Sequence, residues 1–475
     1  MQQRNNYDEF EISGRWWLAG SGHKAYGILS TQPEIRLRLE GIIGEPLRKT
    51  MFEEPVIIHG ISKSNELSTL IGCLEIELVP SYCSNPFSEF FVHQLFLGEH
   101  LASKEDLAIK KVVLSYPGLE NSLKKSTSLT SDLTNFRERV DISWEKPSDI
   151  SIDLMGYGAK LEFVWNVTYV PSKQKTSVGD FARASLTFET PQNYQSVSKA
   201  FGLLTDALST LHAMSCPPTT IWIYREGEED PNRLEVYFNA ISDGKFLREP
   251  ASHKLLICLF HFTPEEREQF FQNWFAMPDE MDFAISWFNR LVMAPIENNY
   301  VVFFNFAQVL ESLHRAMEGD TFISDEEFEP HYLRVKEFIC KEIPNKKLRY
   351  SFSSAIRHAK KYQQKERFMK LFKLIPKDIR NQIAEHPDDC VGKIVDTRNF
   401  IGHLDPKSEE KSLEATQMAY ATMGLRIIFR VIILLHFGIE PRTLERQLQR
   451  NFEFRHFQHG RPWPLTVKQH LENGS

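Results

Sequence analysis

No run of about 18 apolar residues, the length a membrane-spanning helix needs, occurs in these 475 residues. The best stretch, "IIFRVIILLHFG" (427–438), is too short and carries Arg430 and His436, so it reads as a buried helix and no membrane partner is expected. Cysteine is sparse: six residues scattered at 73, 83, 216, 258, 340 and 390. Such spacing argues against a disulfide framework or a zinc cluster and points to reduced thiols in a cytoplasmic protein. The opening "MQQRNNYDEF" has neither the charged start nor the apolar core of a signal peptide, so secretion is not expected. Internal repeats, low-complexity tracts, Asp/Glu/His sets with metal-ligand spacing and a Gly-rich phosphate loop are also missing; "GSGHKAYG" (20–27) reads as a turn. Neither a metal nor another cofactor is therefore expected.

What is present is an uneven charge. The net charge of −7 is made of 28 Lys/Arg against 39 Asp/Glu in residues 1–296 and 28 against 24 in residues 297–475. The basic excess concentrates in residues 345–381, where 12 Lys/Arg face only Glu366 and Asp378. Lys346, Lys347, Arg349, Arg357, Lys360 and Lys361 are the candidates for contacting a polyanion, with RNA the expected partner. Tyr350, Phe352, Tyr362, Phe368 and Phe372 are interleaved with this run; rings can stack on bases, but helical spacing would bury most of them.

Hydrophobic periodicity changes along the chain. Segments 35–41, 55–62, 70–79, 110–116, 159–170 and 182–190 alternate with period two and predict strands, and 221–238 predicts a hairpin turning at 226–232. Segment 193–214 has helical spacing. After about residue 255 strand signals stop, and Thr263, Pro264 and Glu266 form a helix-capping signature. Six helices are expected at 298–318, 327–343, 351–363, 365–375, 390–404 and 409–438, with a seventh or an extension at 441–458. The fold class is thus α+β and multidomain: a β-rich N-terminal domain, sandwich- or barrel-like with accessory helices, over 1–255, a helical connector over 256–297, an all-α bundle over 298–440 and a C-terminal extension over 441–475.

Within that bundle "DTRNFIGHLDP" (396–406) places Arg398, Asn399 and His403 close together. Spacing alone decides nothing, because 27 Arg and 16 His make an Arg/His pair at this distance a once-per-chain coincidence. Arg248/His253, Arg380/His386, Arg430/His436 and Arg450/His456 are similar pairs. Helical geometry, at about 100° per residue, separates them. Gly402, Asn399, His403 and Asp396 fall within about 160° of Arg398, with only Val395 intruding, whereas Phe400, Leu404, Thr397, Ile401 and Ile394 occupy the opposite arc as a core stripe. Asn399 and His403, four apart, are placed to touch, and Gly402 and Pro406 to end the helix. A shared Arg/His face suits RNA cleavage: neutral imidazole can take the 2′-hydroxyl proton, and a guanidinium that keeps its charge stabilises the phosphorane.

"RNFIGH" resembles the R-N-x-x-x-H signature of HEPN ribonucleases, and a six-helix bundle with "QVLESLHRAM" on its first helix resembles the HEPN domain of ApeA-like anti-phage defence proteins. "ISGRWWLAGSGHKAYGILSTQPEIRLRLEG" is similar to the start of the ApeA N-terminal domain. The resemblance implies a metal-independent endoribonuclease acting in abortive infection, with a composite site at a homodimer or higher homo-oligomer of HEPN domains and a 2′,3′-cyclic phosphate product. It implies His403 as acid/base, Arg398 as phosphate stabiliser and Asn399 as polar partner, with Glu311, His314 and Asp396 as possible cleft residues. A phage-derived trigger is expected at the N-terminal domain, which senses, restrains or does both. The rival readings are a non-catalytic HEPN adaptor that binds RNA or protein, and a ligand-binding β domain fused to a helical dimerisation module.

Overall fold

The computed structural model describes residues 4–44, 50–80, 85–105, 107–123, 129–132, 141–170, 177–226, 233–239, 255–293, 298–384, 386–404 and 409–459. The chain forms two compact units, Met1–Ala276 and Met277–Ser475. The expected hairpin turn at 226–232 and Pro406 lie largely or wholly outside the described residues.

In the first unit, β1 (Glu11–Leu18), β2 (Ala25–Ser30), β3 (Arg36–Glu40), β4 (Val56–Ser62), β5 (Leu67–Val79) and β6 (Phe87–Leu97) close into an antiparallel barrel, because β6 pairs with both β3 and β5. Period-two alternation sets the inside: in β3, Leu37 and Leu39 are buried while Arg36, Arg38 and Glu40 face out. Trp16 fills the barrel core and donates its indole N–H to the Gly27 carbonyl at 3.2 Å. A Cβ on Gly60 would stand 2.2 Å from that indole, so the ring lies where only glycine leaves room.

The second half of β6 pairs instead with β14 (Leu234–Phe238), and the sheet runs on from the barrel through β13 (Thr220–Arg225), β7 (Ile109–Ser115), β12 (Ser177–Gln192), β11 (Ala159–Val170) and β10 (Ile150–Leu154). A separate hairpin joins β8 (Leu129–Asp132) to β9 (Asp141–Trp144). The short α1 (Leu119–Leu123), α2 (Tyr194–His212) and α3 (Pro264–Phe275) pack on the open part of the sheet. Buried His212 bridges α1 and α2's end, 2.8 Å from Ser122 Oγ and 3.2 Å from Cys216 Sγ.

Thr263 and Glu266 cap α3 reciprocally, as their spacing predicts. Trp274 of α3 donates to the Leu203 carbonyl of α2 at 2.9 Å. The stretch expected to be a connector is therefore divided: α3 belongs to the first unit, and α4 (Asp279–Met293) begins the second.

The second unit continues with α5 (Asn299–Glu318), α6 (Asp325–Glu342), α7 (Lys346–Arg357), α8 (Gln364–Leu374), α9 (Lys377–Ile383), α10 (Pro387–His403), α11 (Ala415–His436), α12 (Pro441–Arg450) and α13 (Phe452–His459). At the centre, α5 touches α4, α8, α10 and α11, and α11 also meets α8, α9, α12 and α13. With 22 residues, α11 is longer than its apolar stretch suggested, and by length and composition it could cross a bilayer. Two-thirds of its most apolar window is buried within the protein, and Arg430 on it pairs with Glu453 of α13 at 2.8 Å. The predicted seventh helix breaks at Asn451, and α7 begins five residues earlier than its predicted start, capped by the Asn345 side chain.

Candidate functional site

The site is built where the last turns of α10 lie against α5. Thr397, fully buried, fixes that end: its hydroxyl donates to the Lys393 carbonyl at 2.7 Å and accepts from the Leu413 N–H at 2.9 Å. Gly402 faces α5, and a Cβ there would meet the Phe304 ring at 3.3 Å. Gly402 thus permits close helix packing and does not end the helix. The terminator is Leu404, which takes the left-handed conformation at φ 51° and is 74% exposed. Helical periodicity placed Leu404 in the core stripe, but the helix stops before that residue can turn inward.

Arg398 is half-buried between α10 and α5. Its Nε lies 3.3 Å from Glu311 Oε1, its Nη1 donates to Asn399 Oδ1 at 3.3 Å, and its guanidinium sits 5.4 Å from the Phe304 ring centroid. Asn399 thus turns to Arg398 rather than to His403, the neighbour that spacing offered it. Glu311 is almost wholly buried and also receives Gln364 of α8 and Arg315, the latter at 3.5 Å. His403, the last residue of α10, is exposed. Asp396 is half-buried on the same helix and takes part in none of these bonds. The arrangement offers a fixed cation and a solvent-facing imidazole on one helix end.

His314 goes elsewhere. It is fully buried, 3.4 Å from Arg367 Nη1 through Nδ1; since a guanidinium only donates, Nδ1 accepts and the proton resides on Nε2. Arg367, itself buried, also donates to the Tyr362 carbonyl at 3.2 Å and to Asp320 Oδ1 at 2.5 Å. Glu311 and His314, three apart, therefore serve two neighbouring networks, one at Arg398 and one at Arg367. Hydrogen bonds from Lys361, then from Arg367, hold the Asp320 carboxyl down at about 2. Burial, then the Arg367 charge, pushes His314 down to about 4, and burial does the same to His212 in the first unit. Because both stay neutral when folded, the unfolded chain takes up protons that the folded chain refuses between pH 6.5 and 4. Thermal midpoints measured across that window should fall as the pH drops and be fully recovered above it; a midpoint unchanged from pH 7 to 5 would count against this reading.

Among the described residues, no group of three or more His, Cys, Asp or Glu side chains is arranged to hold a metal ion. Of the similar Arg/His pairs, Arg430 is bound to Glu453, whereas His386 and His436, which helical geometry would set among apolar residues, are exposed.

The ApeA N-terminal domain 1 family matches residues 11–274, more than half of the chain, and the Apea-like HEPN family matches residues 304–443. This chain belongs to the ApeA N-terminal domain 1 family and carries an Apea-like HEPN region. The paired matches support an anti-phage HEPN effector, and HEPN domains are generally ribonucleases. No curated protein and no solved structure matches the chain.

Arg398 and His403 both fall inside the matched HEPN region, as do Glu311 and the whole basic run. In that run the structure separates the rings that the sequence left ambiguous. Phe368 and Phe372 of α8 are buried, whereas Tyr350 and Phe352 of α7 are exposed. The cations divide too: Lys360 pairs with Asp325 and Lys361 with Asp320, Arg349 donates to the Cys340 carbonyl at 3.4 Å, and Arg357 lies over Tyr332. Lys346 and Lys347 are exposed at the start of α7. Phe304 and Gln364 are site neighbours that sequence reasoning missed; nothing local in the sequence marks either one.

Proposed function

We propose that this chain is an endoribonuclease effector in which His403 takes the proton from an RNA 2′-hydroxyl and Arg398 stabilises the charge that builds on the attacked phosphate. The bond from the 2′-oxygen to phosphorus forms as the bond to the 5′-oxygen breaks, leaving a 2′,3′-cyclic phosphate, and the departing 5′-oxygen becomes a hydroxyl with a proton returned by the His403 imidazolium, which restores the neutral imidazole. The observation that carries this reading is the geometry of α10: a guanidinium held by Glu311 and Asn399, followed on the same helix end by an exposed imidazole. Neither step requires a metal ion.

The two groups lie about 7.5 Å apart along the helix axis and about 140° apart around it. That separation favours a homodimer in which Arg398 of one copy works with His403 of the other. The acidic N-terminal unit is the part we assign to sensing or restraint, answering a phage-derived trigger in the cytoplasm.

The test expresses the wild type beside His403→Ala and Arg398→Ala, with and without phage challenge, and sequences RNA 5′ ends. Equal protection and identical RNA profiles would overturn the proposal and favour a non-catalytic adaptor.

Glu311 holds Arg398 but does not itself reach solvent, which makes it a positioning residue. Glu311→Gln keeps the shape and removes the charge, and should lower kcat about tenfold, the worth of one charge-assisted contact, with little change in KM. A change confined to KM would show that Glu311 does not act through the reacting phosphate.

A further inference from the structure

Four of the eight cations that follow α7 in the basic run are engaged by the fold. Lys360 and Lys361 hold Asp325 and Asp320, Arg367 is buried, and Lys370 donates to the Tyr362 hydroxyl at 2.7 Å and lies 4.0 Å from that ring's centroid. The helix before them differs. α7, "KKLRYSFSSAIR", has four cations, no acidic residue and no fully buried side chain. Tyr350 is 79% exposed. At about 100° per residue, Tyr350 lies within about 60° of Lys346, Lys347 and Arg357, so one stripe of α7 presents a ring among cations. Phe352 lies about 160° away from Tyr350, with Leu348 and Ala355.

We infer that the Lys346/Lys347/Tyr350 stripe of α7 is a docking surface for single-stranded RNA, with the Tyr350 ring stacking on an unpaired base and the two lysines neutralising phosphates. This deepens the ribonuclease reading and rests on it. Three physical points select the occupant. An exposed ring beside cations matches a splayed base on its backbone, whereas a duplex hides its base faces. A second copy of this chain is disfavoured, since a two-fold contact through α7 would set its uncompensated cations against themselves. Finally, Arg357 is seven residues from Gln364, a path of at most about 25 Å. Gln364 donates to Glu311, the carboxylate that also contacts Arg398, so an oligonucleotide that runs along α7 and past Arg357 can reach the proposed site.

The experiment measures binding of a fluorescent single-stranded RNA, and of its duplex, to the full-length His403→Ala chain. Adding Tyr350→Ala should weaken single-strand binding about tenfold, as expected for one lost stack, and leave duplex binding unchanged. Adding Lys346→Ala and Lys347→Ala should weaken it further and flatten its salt dependence. Phe352→Ala, on the other side of α7, should change nothing. Single-strand binding that survives Tyr350→Ala, equal losses on the duplex, or a change of oligomeric state in place of an affinity change would each overturn the docking surface. Cleavage by the otherwise wild-type chain is scored separately: cutting that persists in Tyr350→Ala with unaltered affinity defeats the platform alone, whereas no cutting by the wild type defeats the ribonuclease reading.

Discussion

Replacing His403 by alanine should reduce RNA cleavage by about 10²- to 10⁴-fold, the range over which a positioned acid/base contributes. Because His403 is exposed at the end of α10, the same change should move stability by no more than about 0.5 kcal/mol. Arg398 offers the complementary test. Arg398→Lys keeps the charge but loses the planar fork that reaches Glu311 and Asn399 together, so it should recover only part of the activity lost in Arg398→Ala. The decisive measurement is the initial rate of RNA cleavage alongside a thermal melt. A His403→Ala protein that melts like the wild type and cuts RNA at the same rate removes the imidazole from the mechanism. Mixing His403→Ala with Arg398→Ala chains extends the test: if each site takes one group from each copy, mixed dimers regain one intact site, and activity should return in part.

The largest effect on stability should come from Arg367→Ala. This guanidinium is buried and binds three elements at once: His314 on α5, the Tyr362 carbonyl before α8, and Asp320 after the end of α5. Its removal leaves the carbonyl and His314 Nδ1 without their donor and Asp320 without its closest cation. Loss of one member of a buried pair costs about 3 to 5 kcal/mol, and the lower end applies because Asp320 is partly solvated and keeps Lys361. The denaturant midpoint of the HEPN unit should therefore fall while the N-terminal unit keeps its own. Arg367→Lys should lie between, since one ammonium cannot span the same contacts. An unchanged midpoint in Arg367→Ala would mean that the network contributes no net stability. Both substitutions touch the same unit but separate its functions: His403 has little packing to lose, whereas Arg367 is enclosed by the bundle.

Several features could be read from local sequence because their causes are local. The change from period-two to helical spacing located most of the strands and helices. Thr263, Pro264 and Glu266 identified the start of α3, since a cap involves only residues within one turn. The polar arc of α10 was visible because the rotation per residue is fixed by the helix itself. Closure of the barrel was left open, as it depends on β5 and β3 meeting opposite edges of β6. Leu404 failed because periodicity assumes that a helix continues.

The sequence by itself determined a β-rich unit followed by helices, a basic run after residue 345, and one helix carrying Arg398, Asn399 and His403 on a common arc. Only the tertiary structure decided that Glu311 meets Arg398 while His314 turns to Arg367. The same packing put Phe368 and Phe372 inside while Tyr350 and Phe352 stayed out. Periodicity states which side of its own helix a residue occupies; whether that side is covered, and by which charge, is set by helices distant in sequence that pack against it.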